Sequence, residues 1–171
     1  MEKKTKLSDS EFMEFFIDEL QDIYGAEQSL VRFLPELHAA SSGDELQGAF
    51  ERHIKGTRKH IEMLERTFYM LGEAPKPKAC EAMEGLMRQA SGIIDRTETG
   101  SYTRDAGLIL AAQKIAHYTI ATYGTLRIFA RHMGENGVSQ LLDKILENNK
   151  KTDVELTLIA ENHVNALAVA E

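Results

Sequence analysis

Four stretches of this chain carry apolar residues spaced by three and four, and each stripe is interrupted by polar residues at one common level. The first runs Phe12, Phe16, Leu20, Ile23, Glu27, Leu30, Leu34, Leu37. The second runs Leu46, Phe50, His53, Ile54, Thr57, Ile61, Leu64, Phe68, Leu71. The third carries Leu108, Ala112, Ile115, Thr119, Thr122, Leu126, Phe129 and Met133, and the fourth Val138, Leu142, Ile145, Asn149, Thr152, Leu156 and Ile159. The interrupting residues lie roughly a dozen to seventeen positions from the nearest turn, about 20 Å along a helix at 1.5 Å per residue. A polar layer at mid-height of a helical bundle is where dinuclear metal sites are built. Of the seven side chains in this layer, only Glu27 is a carboxylate.

Breakers separate the stripes. Ser8 and Glu11 fit a capping box before the first. Ser41-Ser42-Gly43-Asp44 ends it and starts the second, and Gly72 with Pro75-Lys76-Pro77 ends the second. Gly134 and Gly137 bracket the turn between the third and fourth, and the fourth is expected to fray near Ala166. Gaps this short between long helices make antiparallel hairpins. Residues 78–95 read as a shorter helix, with Met83, Leu86, Met87, Ile93 and Ile94 on its apolar face, followed by a polar loop from Thr97 to Ser101. The segment 78–101 is then a crossover between two hairpins, which predicts an all-α, ferritin-like antiparallel four-helix bundle with a short fifth helix. Gly56-x-x-x-His60-Ile61-Glu62 echoes Asn149-x-x-x-Asp153-Val154-Glu155 at an offset of 93, as two related hairpins would.

The 171 residues make one domain with enough length for a sizeable core, and residues 1–7 are expected to be disordered. A net charge of −7 argues against nucleic acid as a partner. Cys80 is the only cysteine, so neither an intrachain disulfide nor a cysteine-based zinc site can form, and a reducing cytoplasm suits it. Met1 to Leu7 is charged without an apolar run behind it, so no signal peptide is expected, and no stretch is apolar enough to span a membrane.

Each candidate site residue has two readings. Glu27 sits among Ile23, Leu30 and Leu34. A buried carboxylate needs a partner: a metal such as iron or manganese, or hydrogen bonds from Thr119, Thr122 or Asn149 across the core. His53 and His60 are metal-binding imidazoles or satisfied core histidines. Asp153 is a second acid ligand or a solvated surface residue. Tyr24, Tyr118 and Tyr123 read as amphipathic packing residues, and Thr57, Thr119, Thr122 and Thr152 as hydroxyls bonded back to their own helices. Phe15, Val31, Phe33, Tyr69, Ile128 and Leu141 lie off the main stripes and predict a second buried surface, that of a homodimer.

Several longer stretches carry a resemblance. They are Asp18-Glu19-Leu20-x-Asp22-x-Tyr24-x-Ala26-Glu27-x-x-Leu30, Ala49-Phe50-x-x-His53 and Cys80-Glu81-Ala82-Met83-Glu84-Gly85-Leu86. Further on come Asp105-Ala106-x-Leu108-Ile109-x-Ala111-Ala112-Gln113-Lys114, His117-Tyr118-x-Ile120-Ala121-x-Tyr123-Gly124-Thr125 and Lys150-x-Thr152-Asp153-x-x-Leu156. Along nearly its whole length the chain resembles the YciE/YciF-type ferritin-like stress-response proteins. The resemblance implies a ferritin-like bundle, a homodimer and a stress-linked role. Glu27, His53, His117 and Asp153 match that family's pattern. Gly56, Ala116, Thr119 and Asn149 stand where it carries acids, and Asn148 precedes Asn149 in place of a Glu pair. The expectation is a non-catalytic dimeric protein with a degenerate dinuclear site and no cofactor. The alternative is a residual iron or manganese protein using Glu27, His53, His60 and Asp153.

Overall fold

Ser10 opens the first helix because its hydroxyl accepts the Met13 N–H (3.1 Å), satisfying one of the amides that a helix start leaves unpaired. The structure, a computed structural model, describes residues 10–171. The capping role expected at Ser8 and the disorder expected over 1–7 lie outside the described residues; within them, the cap is Ser10. From there α1 runs Glu11–Ala40, α2 Asp44–Leu71, α3 Glu81–Arg96, α4 Tyr102–His132 and α5 Asn136–Ile159. A π-helical turn, Ala160–Val164, then leads into α6, Asn165–Ala170. The fourth stripe therefore does not fray near Ala166 but passes through a wider turn and stays helical.

Glycine ends two of the long helices by the same geometry. Gly72 and Gly134 adopt φ of 74° and 83°. The N–H of the next residue then reaches back to a carbonyl five positions earlier, Glu73 to Phe68 and Glu135 to Ala130, both at 2.9 Å. α1 pairs with α2 and α4 with α5, and the two hairpins join through α2 against α5 and α1 against α4. α3 lies across α1 and α4 as the crossover. Two long hairpins joined by one crossover is the ferritin-like arrangement expected from the stripes.

The core follows the stripes with small corrections. Phe16, Leu20, Ile23, Leu30, Leu34 and Leu37 are buried, as are Leu46, Phe50, Leu64 and Phe68 from α2. Phe12, placed in the first stripe, is 43% exposed. Met13 takes the inward position instead, one step round the helix, while Phe12 packs edge-on against Phe129 with ring centres 5.0 Å apart. Of the six off-stripe residues, Leu141 is buried within its own chain and Phe33 packs against the core. Phe15 (48%) and Tyr69 (84%) are exposed.

Two connections are held by buried charges from α4. Asp105 accepts the backbone N–H groups of Ser42 (2.9 Å) and Gly43 (3.0 Å) and the Ser42 hydroxyl (2.9 Å). It thereby anchors the α1–α2 turn, where Gly43 has no capping side chain of its own. Arg104 donates to the Ile94 carbonyl (2.8 Å) and to the Thr97 and Thr99 hydroxyls, tying down the α3–α4 loop. At the far end of the chain, Glu171 accepts from the backbone N–H groups of Tyr102 (2.7 Å) and Thr103 (3.0 Å), which fastens α6 to the start of α4.

Candidate functional site

The mid-height layer is present. Glu27 on α1, His53, Thr57 and His60 on α2, Thr119 on α4 and Asn149 on α5 are all buried. Thr122 and Thr152 are half-buried. The hydrogen bonds do not run between the residues expected to share them. Thr119 donates to the Ala116 carbonyl (2.8 Å), Thr122 to Tyr118 (2.9 Å), Thr152 to Asn148 (3.2 Å) and Asn149 to Ile145 (3.1 Å). Each side chain turns back on its own helix, as short polar groups in helix interiors do.

Glu27 is answered from other directions. Tyr123 on α4 donates its hydroxyl to Glu27 Oε1 at 2.8 Å. His60 Nδ1 lies 3.4 Å from the same oxygen, an ion-pair distance. The other ring nitrogen of His60, Nε2, sits 2.8 Å from Asn148 Oδ1 on α5. Nε2 is thus hydrogen-bonded, while Nδ1 lies at ion-pair distance from Glu27 without a hydrogen bond. Burial disfavours the charged ring, but the Glu27 charge and the bond to Asn148 outweigh it and raise the His60 pKa above the ordinary value. His53 goes the other way: burial pushes its pKa down to about 4, against the pull of Glu27, so it is neutral at pH 7. Burial and the neighbouring Glu27 charge hold the Tyr123 hydroxyl well above its usual range, so it remains a donor.

Asp153, half-buried on α5, belongs to a separate group. Its Oδ1 accepts from Gln113 Nε2 (3.1 Å) and pairs with His117 Nε2 (3.2 Å), both from α4. Gln113 also donates to Thr157 (2.8 Å). The four proposed site residues are therefore not one constellation: Glu27 and His60 touch, His53 is buried on the same helix as His60, and Asp153 is engaged with Gln113 and His117.

The residues present do not fit a dinuclear metal centre. Such a centre in this fold draws on four glutamates and two histidines. Among the described residues, no group of three or more His, Cys, Asp or Glu side chains could hold a metal ion. The space at Gly56 is already used: a Cβ there would lie 2.7 Å from Asn148 Oδ1, the atom that bonds His60. Four buried atoms in the layer nevertheless have no hydrogen-bond partner, namely Glu27 Oε2, His53 Nδ1, Thr57 Oγ1 and His60 Nδ1.

A second cluster joins three of the resemblance-bearing stretches. Cys80 caps α3, its sulfur accepting the Met83 N–H (3.4 Å). The same sulfur lies 3.1 Å from the Tyr118 hydroxyl, which donates to Asp22 (3.3 Å). Burial pushes the Cys80 thiol up, and its contacts are those of a packing and capping group. Tyr24 likewise donates to Glu65 (3.0 Å). The three tyrosines read as packing residues are thus each a donor to an acid from another helix. Sequence spacing could not reveal this, because each pair joins residues 41 or 96 positions apart.

The comparisons agree with this frame. Residues 11–169 match a family described as a domain of unknown function, DUF892. The chain is 42% identical over 154 residues to Protein YciF of Escherichia coli K12, covering 90% of this chain and 92% of that protein. The crystal structure of the E. coli stress protein YciF superposes with a TM-score of 0.86 at 41% identity, over 90% of this chain and 97% of the other. YcfI of Rhodopseudomonas palustris, described as a putative structural protein, gives a TM-score of 0.82 at 29% identity, over 86% and 94%. A Xanthomonas campestris protein at 21% identity shares the fold, with a TM-score of 0.73 over 94% and 98%. With a family match that covers the four long helices, the crossover helix and both side-chain clusters, the chain belongs to the DUF892 family, and it is a YciF-like member of it.

Proposed function

We propose that this chain is a non-catalytic, dimeric ferritin-like protein with a structural, stress-associated role in the cytoplasm, and that its polar layer is a dinuclear site dismantled by substitution. The observation that carries the reading is the internal settlement of Glu27. One carboxyl oxygen meets His60 Nδ1 at 3.4 Å and the Tyr123 hydroxyl at 2.8 Å, where a metalloprotein of this fold would present it, with further acids, to cations. Gly56, Ala116, Thr119 and Asn149 supply none of those acids. The relatives described as a stress protein and as a putative structural protein support the role assigned.

A second reading has its own observation. Glu27 Oε2, His53 Nδ1 and Thr57 Oγ1 are buried without a hydrogen-bond partner, and carboxylate and imidazole are donors of the kinds iron and manganese accept. Asp153 would join them only by leaving Gln113 and His117.

The deciding experiment compares the parent with a variant carrying Gly56→Glu, Ala116→Glu, Thr119→Glu and Asn149→Glu. Clustered carboxylates repel one another in a dry core, so the variant should melt at lower temperature without metal and recover with Fe(II) or Mn(II). The parent, purified without chelator, should carry no stoichiometric metal by elemental analysis, and EDTA should leave its Tm unchanged. Metal at one equivalent or more, with a Tm drop of many degrees on chelation, would replace the first reading by the second.

A further inference from the structure

The groove between α2 and α5 concentrates positive charge on a chain that is acidic as a whole. It encloses about 650 Å3 and is walled by Arg52, Lys55 and Lys59 from α2 and by Lys144 and Lys151 from α5, with Asp143 and Glu147 as its only acids. Lys55 and Lys59 are four residues apart and Lys144 and Lys151 seven, so each pair shares a helix face. Both acids are already engaged by cations outside the lining: Asp143 with Arg127 (3.0 Å) and Glu147 with Lys150 (2.7 Å). Arg52 is held by Glu155 (2.8 Å). None of the four lysines makes a close ion pair among the described residues, although Lys151 lies within the electrostatic reach of Glu147, and the two pairs line opposite walls of one recess. The chain around them carries a net charge of −7.

The groove also has a polar floor. Gly56, exposed Asn148 and buried His60 line it there.

We propose that this groove binds a small phosphate-bearing anion with at least two negative charges, held between Lys55 and Lys59 on one wall and Lys144 and Lys151 on the other. Lysine ammonium groups serve phosphate as point charges, and a multiply charged anion relieves the repulsion between the walls. The recess is of small-molecule size, and the chain's net charge of −7 disfavours a nucleic-acid backbone. The proposal stands on the charges of the groove and holds whether or not the core retains a metal.

The test uses inorganic pyrophosphate with the full chain, by calorimetry at constant ionic strength and near-neutral pH. Saturable binding with one site per chain is expected, weakening as salt rises. Lys59→Glu with Lys144→Glu should weaken it by about tenfold or more. Lys55→Gln with Lys151→Gln, which only removes charge, should weaken it by a smaller factor and provides the same reading should the reversal variant fail to fold. Lys114→Glu, on α4 outside the groove, should leave it unchanged. Phosphatidylglycerol vesicles form a second arm, because a lipid headgroup offers the same phosphate chemistry. Vesicle binding that exceeds pyrophosphate binding would overturn a free small ligand. Absence of saturable pyrophosphate binding, or binding indifferent to the groove lysines, would overturn the site itself.

Discussion

The two histidines of the polar layer differ by seven positions on one helix and are driven in opposite directions by their surroundings. His60 gains the Glu27 carboxylate and Asn148; His53 has burial as its dominant influence. Their effects on stability therefore have opposite signs. In the unfolded chain His53 titrates near 6.5, and in the fold near 4, so between those values the unfolded state holds the extra proton. Stability contributed by neutral His53 is complete above pH 6.5 and is lost as pH falls toward 4, on the order of 3 kcal/mol in all. His60, with its raised pKa, contributes fully below pH 6.5 and loses that contribution as pH rises through its folded value. Urea titrations from pH 7 to 4 on the parent and on His53→Gln test the first half. The stability difference between the two should change across that window by most of this amount, and a constant difference would refute the assignment.

At the scale of elements, the crossover is positioned by one glycine. Residues 73–80 pass over α1 at Gly25, where the Lys78 N–H donates to the Gln21 carbonyl (3.0 Å) and Lys78 Nζ pairs with Asp18 (2.6 Å). A Cβ on Gly25 would lie 1.8 Å from the Lys78 carbonyl oxygen, a backbone atom that cannot rotate away. Gly25→Ala should therefore destabilise by about 1–3 kcal/mol, because the crossover must lift off α1. Gly124, in the interior of α4, has nothing within 4 Å of an added Cβ. Gly124→Ala should stabilise by up to about 1 kcal/mol through helix propensity alone. Chemical denaturation of the two variants should shift in opposite directions. Equal effects would mean that contact with Lys78 does not decide the cost at Gly25.

Across the whole molecule, large apolar side chains stay exposed after the core is complete. Phe12, Phe15, Tyr69, Met70, Leu110, Val154 and Leu158 all exceed two-fifths exposure. Phe12 and Phe15, from the start of α1, both pack against Phe129 near the end of α4, an aromatic group at one end of the bundle. Such surface is what a homodimer covers. Sedimentation equilibrium at micromolar concentration should give twice the 19.2 kDa of one chain, and a single-chain mass would reject the dimer.

The sequence by itself determined the helices, their order and the inward faces. Apolar spacing and glycine-based stops are local properties, and a stripe of three- and four-residue steps admits one buried face. It also placed Glu27, Thr57, Thr119 and Asn149 in the interior, since a residue within the stripe is buried with it. It erred by one residue at Phe12, at the helix end where the stripe meets solvent, and it gave no sign of the π turn after Ile159. The partners of the buried polar groups were decided only by tertiary structure. Tyr123 to Glu27, Tyr118 to Asp22, Asp105 to the α1–α2 turn and Asp153 to His117 each depend on how neighbouring helices are rotated and shifted in register. Periodicity fixes which face of a helix turns inward. A hydrogen bond between helices needs two side chains to meet within about 3 Å, and that is set by the packing of all four helices together.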